Sequence, residues 1–256
     1  MFKNHLFNTH RYDLFDQCVV NLDVTGFDLT DFLDSCWRYK LYDSMFYLSV
    51  YGREDCITPI KILLNELEHQ NLSNIQLGNA ILKNICSLLV DRNIKHFKQV
   101  MNFLINKYDS DDQRAAWRYL KIIIHFDFKD FLNVLTLVFE RINDIRDPIE
   151  KEAIISRRDK LLYILLQIIF SEKKLFDSDS AAFFVFLAHQ MTLKQPSGIL
   201  MNKIMLDQTI EILTANENSF ALEKQQALLG LLESKILGDD TIDKILDLSE
   251  KLNLYT

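Results

Sequence analysis

Six glycines and three prolines are all the conformational punctuation available to this chain of 256 residues. That scarcity constrains the fold more than any motif, because hairpins, Gly-rich phosphate loops and β-sandwiches all depend on those two residues for their turns. The remaining way to build a core is with helices. Hydrophobic residues make up 48% and charged residues 25% of the chain, enough apolar material for a continuous core and too much for a disordered polymer.

Helical periodicity recurs along the sequence. Phe131, Leu132, Leu135, Val138 and Phe139 fall at i, i+1, i+4, i+7 and i+8, one apolar stripe of a helix. The same pattern appears at Leu41, Met45 and Leu48, at Phe184, Leu187, Ala188 and Met191, and at Leu228, Leu231 and Leu232. Strand-type alternation over more than a few residues is absent. Ser73 with Gln76 and Ser110 with Gln113 fit the S-x-x-Q capping box that opens a helix. Asp177 to Ser180 and Gly238-Asp239-Asp240 read as linker-plus-cap clusters, while Pro59, Pro148 and Pro196 suit first turns or loops. The pattern predicts helices over 3–21, 29–39, 42–52, 58–69, 74–91, 94–107, 112–125, 128–143, 149–170, 179–193, 200–215, 219–235 and 240–253.

Connections this short bring sequential helices back antiparallel, and a run of such hairpins stacks most simply into an all-α solenoid, with a single compact bundle as the alternative. No repeat period is visible in the letters. The whole of 1–256 is expected to be one solenoid segment. Solenoids usually end in polar capping repeats, whereas this sequence stops at Leu252-Asn253-Leu254-Tyr255-Thr256 beyond an apolar stretch, so it reads as a piece of a longer protein.

Chemistry is hard to place. Gly26, Gly52, Gly78, Gly198, Gly230 and Gly238 lie too far apart for a phosphate loop, and the G-x-S-x-G elbow of a hydrolase is missing. The histidines at 5, 10, 69, 96, 125 and 189 form no H-x-x-x-H pair, and His125 and His189 sit in apolar helices as hydrogen-bonded imidazoles. Asp177 and Asp179 match the first positions of a calcium loop, but Ala182 holds its glycine position, so helix capping explains them better. No metal or cofactor is therefore expected.

Cys18, Cys36, Cys56 and Cys86 lack C-x-x-C spacing and read as buried thiols. A net charge of −7 argues against nucleic acid as a partner, and the strongest basic cluster, Arg157, Arg158 and Lys160, follows Glu150 and Glu152. The first residues lack the apolar core of a signal peptide, and the longest apolar run, Leu161 to Phe170, is half the length a membrane span needs.

One segment stands out as a partner surface. Trp37, Tyr39, Tyr42, Tyr47 and Tyr51 form an aromatic-rich hairpin with Phe46. Aromatics at helical spacing ordinarily pack inward, and those that face outward are the candidate anchors, because aromatics dominate interface hot spots.

Three blocks carry a family resemblance. Cys36 to Tyr47, continuing through Asp55 to Ile60, is the first; Phe126 to Glu140, containing Phe131-Leu132-Asn133-Val134-Leu135, is the second. The third comprises Phe186 to Gln190, Leu206-Asp207-Gln208 and Gln225 to Leu232. In this order and spacing they resemble the central region of the vacuolar protein sorting-associated protein 8 family, from about Leu22 to Tyr255. The resemblance implies a clathrin-heavy-chain-repeat-like α-solenoid without the family's N-terminal β-propeller and C-terminal RING-like zinc module. It implies a non-enzymatic scaffold in the endosomal CORVET tethering complex, serving transport from endosome to vacuole or lysosome. The partners it implies are other class C vacuolar-sorting subunits and an early-endosomal Rab GTPase, the latter through parts outside this chain. Localisation would be cytoplasmic, peripheral on endosomal membranes through the complex. The polar stretch Glu140 to Ile149 and the first twenty residues depart from the family pattern.

Overall fold

A computed structural model describes residues 2–24, 28–91, 93–107, 116–171, 177–192, 203–214, 221–233 and 242–243. Among these residues there are helices and no strands. In chain order they are α1 (Phe2–Asn8), α2 (Tyr12–Val19), α3 (Leu29–Arg38), α4 (Tyr42–Tyr47), α5 (Ile57–His69) and α6 (Ile75–Val90). Then follow α7 (Ile94–Ile105), α8 (Arg118–Glu140), α9 (Pro148–Ser171), α10 (Asp177–Thr192), α11 (Lys203–Leu213) and α12 (Ala221–Glu233). A π-helical turn, Leu48–Gly52, extends α4, and a 3₁₀ turn, Arg141–Asp144, follows α8.

The chain divides into two compact units, Met1–Phe126 and Asp127–Thr256. In the first, sequential helices pair, α1 with α2, α3 with α4, α5 with α6 and α6 with α7. Next-but-one helices also touch: α2 packs on α4, α4 on α6, and α5 on α7. Contacts of both kinds together describe two parallel rows of helices, the architecture of a helical-repeat solenoid. Phe15, Met45, Phe46, Ile60, Leu63, Leu77 and Ile81 are buried along these rows.

A repeat barely marked in the letters is plain in the backbone. The turns after α1, α3 and α5 each place a non-glycine residue in the left-handed region: His10 at φ 55°, Lys40 at 58° and Asn71 at 52°. Each turn closes with the same pair of hydrogen bonds. Arg11 N donates to Leu6 O at 2.9 Å and His10 N to Phe7 O at 3.2 Å; Leu41 N donates to Cys36 O at 2.9 Å and Lys40 N to Trp37 O at 3.2 Å. Leu72 N and Asn71 N do the same to Leu67 O and Glu68 O at 2.9 and 3.0 Å. This is the Schellman helix stop, which satisfies the last carbonyls of a helix. The three left-handed residues are 30 and 31 positions apart, which sets the repeat length of this unit. Tyr12-Asp13 and Tyr42-Asp43 open the helices after the first two turns at that same spacing.

The first of these turns also explains a departure from expectation. One helix is predicted over 3–21, but the left-handed His10 splits it into α1 and α2. A histidine at such a position carries none of the signal that glycine would. Capping differs as well. Asn74, not Ser73, caps α6 by accepting from Leu77 N at 3.0 Å, while Ser73 Oγ turns back to donate to Gln70 O at 2.6 Å. Asp28, Asp55, Asn93 and Asp147 cap α3, α5, α7 and α9 through their side-chain oxygens. The expected starts at Ser110 and at Gly238-Asp239-Asp240 lie outside the described residues.

The break between helices expected at 126–127 is present. Asp127 leaves the helical region (φ −156°, ψ 94°) inside α8, and its Oδ1 accepts from Asp130 N at 2.9 Å, restarting the helix as an N-cap. The second unit begins there. Its core is built on phenylalanines: Phe128 stacks with Phe183 (6.0 Å, 18°), Phe139 meets Phe186 (6.1 Å) and Phe170 meets Phe184 (6.2 Å). α10, α11 and α12 pack on one another in turn, and α10 also touches α12.

Candidate interaction surface

The aromatic hairpin is distributed over four environments rather than one surface. Tyr42 is buried at the start of α4, where it contributes to packing and is withdrawn from any partner; burial and then the nearby Glu66 push its hydroxyl pKa up. Tyr39 is 38% exposed and stacks on Tyr12 at 4.4 Å with the rings 21° apart, while Phe7 meets it edge-on at 4.9 Å. This sandwich fastens the α1–α2 turn to the end of α3. Trp37, 43% exposed, looks into a trough of about 380 Å³ between α3, α4 and α5, whose walls include Met45, Arg53, Pro59 and Ile62.

Tyr47 and Tyr51 lie elsewhere. Tyr47 precedes the π-helical turn Leu48–Gly52 and Tyr51 lies within it, and their rings sit 4.9 Å apart, as residues four apart on a helix do. Such π turns concentrate at functional sites. Tyr47 is half-buried and donates its hydroxyl to Leu22 O at 3.0 Å, whereas Tyr51 is 56% exposed. Burial, then Asp91 and Tyr47, raise the pKa of the Tyr51 hydroxyl.

These two tyrosines border a groove of about 510 Å³ that crosses α2, α4 and α6. Its polar side is an organised network. Asp16 of α2 reaches 28 residues along the chain, accepting from Ser44 N at 2.9 Å and Ser44 Oγ at 2.6 Å. The donor is the third residue of α4, whose own cap position is Leu41 and offers no side-chain oxygen. Asp16 therefore caps a helix of the next repeat. Asp43 pairs with Lys83 of α6 and accepts a longer bond from Asn84 Nδ2 at 3.4 Å. Sequence reasoning singled out the tyrosines of this groove and missed Asp16, Lys83 and Asn84. Only the helix stack brings those three beside the rings.

The second unit holds a groove of about 520 Å³ between α8, α10 and α12, lined by Leu132, Val185, Phe186 and Gly230, with His189 and Glu223 among its polar members. His189, expected to be a partly buried and hydrogen-bonded imidazole, is exposed at the edge of this groove, with its Nδ1 3.5 Å from Gln190 Nε2. The cluster Arg157, Arg158 and Lys160 does not make one exposed basic patch: Arg158 is 1% exposed and bonded to Asp159 at 2.8 Å, and Arg157 donates to Ala153 O at 2.8 Å. Cys36 and Cys56 are buried, Cys18 and Cys86 half-buried, and none of the four is joined in a disulfide; burial raises the pKa values of Cys56 and Cys86, which suppresses thiolate chemistry. Among the described residues no group of His, Cys, Asp and Glu is arranged to hold a metal ion, and no helix is long and apolar enough to cross a membrane.

Residues 2–80 match the family model described as Vps8 central TPR, a stretch that contains all three Schellman turns. The chain is similar to the central region of vacuolar protein sorting-associated protein 8. It is 26% identical to the mouse and human homologs of that protein over 93% of its own length, and 24% identical to the Drosophila melanogaster homolog over 94%. It spans only 18% of the length of the mammalian proteins and 20% of the fly protein. No solved structure matches the chain significantly. The resemblance to the vacuolar protein sorting-associated protein 8 family and the α-solenoid expected from it are thus borne out.

Proposed function

We propose that this chain is a non-enzymatic scaffold segment of a CORVET-like endosomal tethering complex, acting in transport from endosome to vacuole or lysosome. The observation that carries the reading is the similarity to vacuolar protein sorting-associated protein 8 homologs across nearly all of the chain. The helical rows of the first unit suit it physically, since stacked hairpins fix distances between binding sites and expose long faces to neighbouring subunits. In this role the segment joins class C vacuolar-sorting subunits. An early-endosomal Rab GTPase is engaged through other parts of the full protein, and membrane association is peripheral, through the complex.

The test is to delete the gene in the source cells and follow delivery of an endocytosed cargo while imaging the tagged protein in complemented cells. The expected result is punctate endosomal signal, cargo held in endosomes after deletion and delivery restored by the intact gene. Normal cargo delivery without the gene, together with signal away from endosomes, would overturn the proposal.

A further inference from the structure

We propose that the edge of the first unit where the α1–α2 and α3–α4 turns meet is a docking site for an acidic segment of another protein. The two turns are equivalent points of adjacent repeats, with left-handed His10 and Lys40 at the same place in each, and equivalent points of a helical stack lie side by side. Tyr12 and Tyr39 fix that neighbourhood: their rings stack at 4.4 Å, and Phe7 meets both edge-on, at 5.4 and 4.9 Å. Arg11 precedes the first of these rings in the chain, and Arg38 and Lys40 bracket the second. All three cations are exposed, as is His10, whose Nδ1 lies 2.9 Å from the Tyr12 hydroxyl oxygen.

Unpaired positive charge selects the occupant. Among the described residues none of Arg11, Arg38 and Lys40 forms an ion pair, although the chain as a whole carries a net charge of −7. The carboxylates within reach in the sequence are engaged elsewhere. Asp43 is paired with Lys83, Asp16 accepts from Ser44, and Asp34 lines the Trp37 trough with Arg53. Residues 2–12 hold no carboxylate, which leaves Asp13, in the first turn of α2, beside three cations. Guanidinium forks bind carboxylates through paired hydrogen bonds, and complementary charge of this kind sets which partner is accepted. The same balance favours a peptide over a bilayer, because a protein is held on anionic lipid by about four to eight clustered Lys or Arg, more than this edge presents.

The inference does not depend on the tethering role and is tested separately. Random dodecapeptides displayed on phage are panned against the full chain, and enriched sequences are synthesised and titrated by fluorescence anisotropy. Vesicles of phosphatidylcholine and phosphatidylserine are tested alongside by co-sedimentation. Wild type is compared with the combined variant Arg11→Gln, Arg38→Gln, Lys40→Gln and with Lys95→Gln, which removes an exposed cation on α7, each checked for folding by circular dichroism. The expected peptides are net negative, bind more weakly as salt rises, lose about tenfold in affinity with the combined variant and keep wild-type affinity with Lys95→Gln. Arg38→Gln alone, at an exposed helix end, is expected to lose about threefold and decides the matter if the combined variant fails to fold. The proposal is overturned by any of three outcomes: enrichment of neutral or basic peptides, or of none; acidic peptides indifferent to loss of the three cations, or equally weakened by Lys95→Gln; or binding to the vesicles without binding to peptides.

Discussion

Asp16 and Gly78 each act at a distance that their sequence neighbourhoods conceal. Asp16 closes the start of α4 from the preceding repeat through both Ser44 N and Ser44 Oγ. Its replacement by alanine is expected to lower unfolding stability by about 1–2 kcal/mol, the cost of losing a cap, with Asp16→Asn closer to wild type; urea denaturation measures both. Gly78 of α6 lies under the Phe126 ring, and a Cβ there would meet ring carbons at 2.0–2.4 Å. Gly78→Ala should therefore cost about 1–3 kcal/mol by overpacking. Adding Phe126→Leu should recover part of that loss, whereas additive losses in the double variant would rule out the contact. Asp55 supplies a pH signature. Burial raises the pKa of its carboxyl, but hydrogen bonds from the Thr58 side chain, Thr58 N and Ile57 N outweigh it, and the net shift is downward. A depressed folded-state pKa gives stability that is present above the unfolded value near 3.8 and is lost as pH falls through the folded one. Asp55→Asn should reduce stability at neutral pH and flatten its decline in acid, a difference that melts recorded from neutral to acidic pH will reveal.

At the scale of elements, what is legible in the sequence is what depends on apolar spacing. The stripe through Phe131, Leu135 and Val138 announces its helix, and Phe131, Leu135 and Val138 are buried as that spacing requires. The helix break near Asp127 is also readable, because Asp127 and Asp130 flank Phe128 as a cap does. What escapes is carried by backbone conformation. The repeat is marked by left-handed His10, Lys40 and Asn71, three different residues, and the Tyr-Asp pair that follows the first two turns is replaced by Ser73-Asn74 after the third. Similarly, Tyr47 and Tyr51 are recognisable as a pair four apart, but the π turn that begins between them has no sequence signature. The strained turns give a direct prediction. Lys40→Gly removes the Cβ conflict of the left-handed region, worth about 1–2 kcal/mol, against about 0.5–1 kcal/mol of added chain entropy. A small rise in melting temperature is expected. A fall would mean that the Lys40 side chain makes a contribution larger than its strain.

For the whole molecule, the chain divides into two compact units at the Asp127 break, the first with its helices in two rows. The chain's similarity to a vacuolar protein sorting subunit supplies the biological direction, and the grooves supply surfaces on which neighbours would assemble. Assembly is therefore where the proposed role stands or falls. The deciding measurement is affinity purification of the natively tagged full gene product from its own cells under gentle lysis, with mass-spectrometric quantification of what accompanies it. Stoichiometric recovery of class C vacuolar-sorting subunits is the predicted result. Recovery of vesicle-coat components in their place, or of no stoichiometric partner, would contradict it.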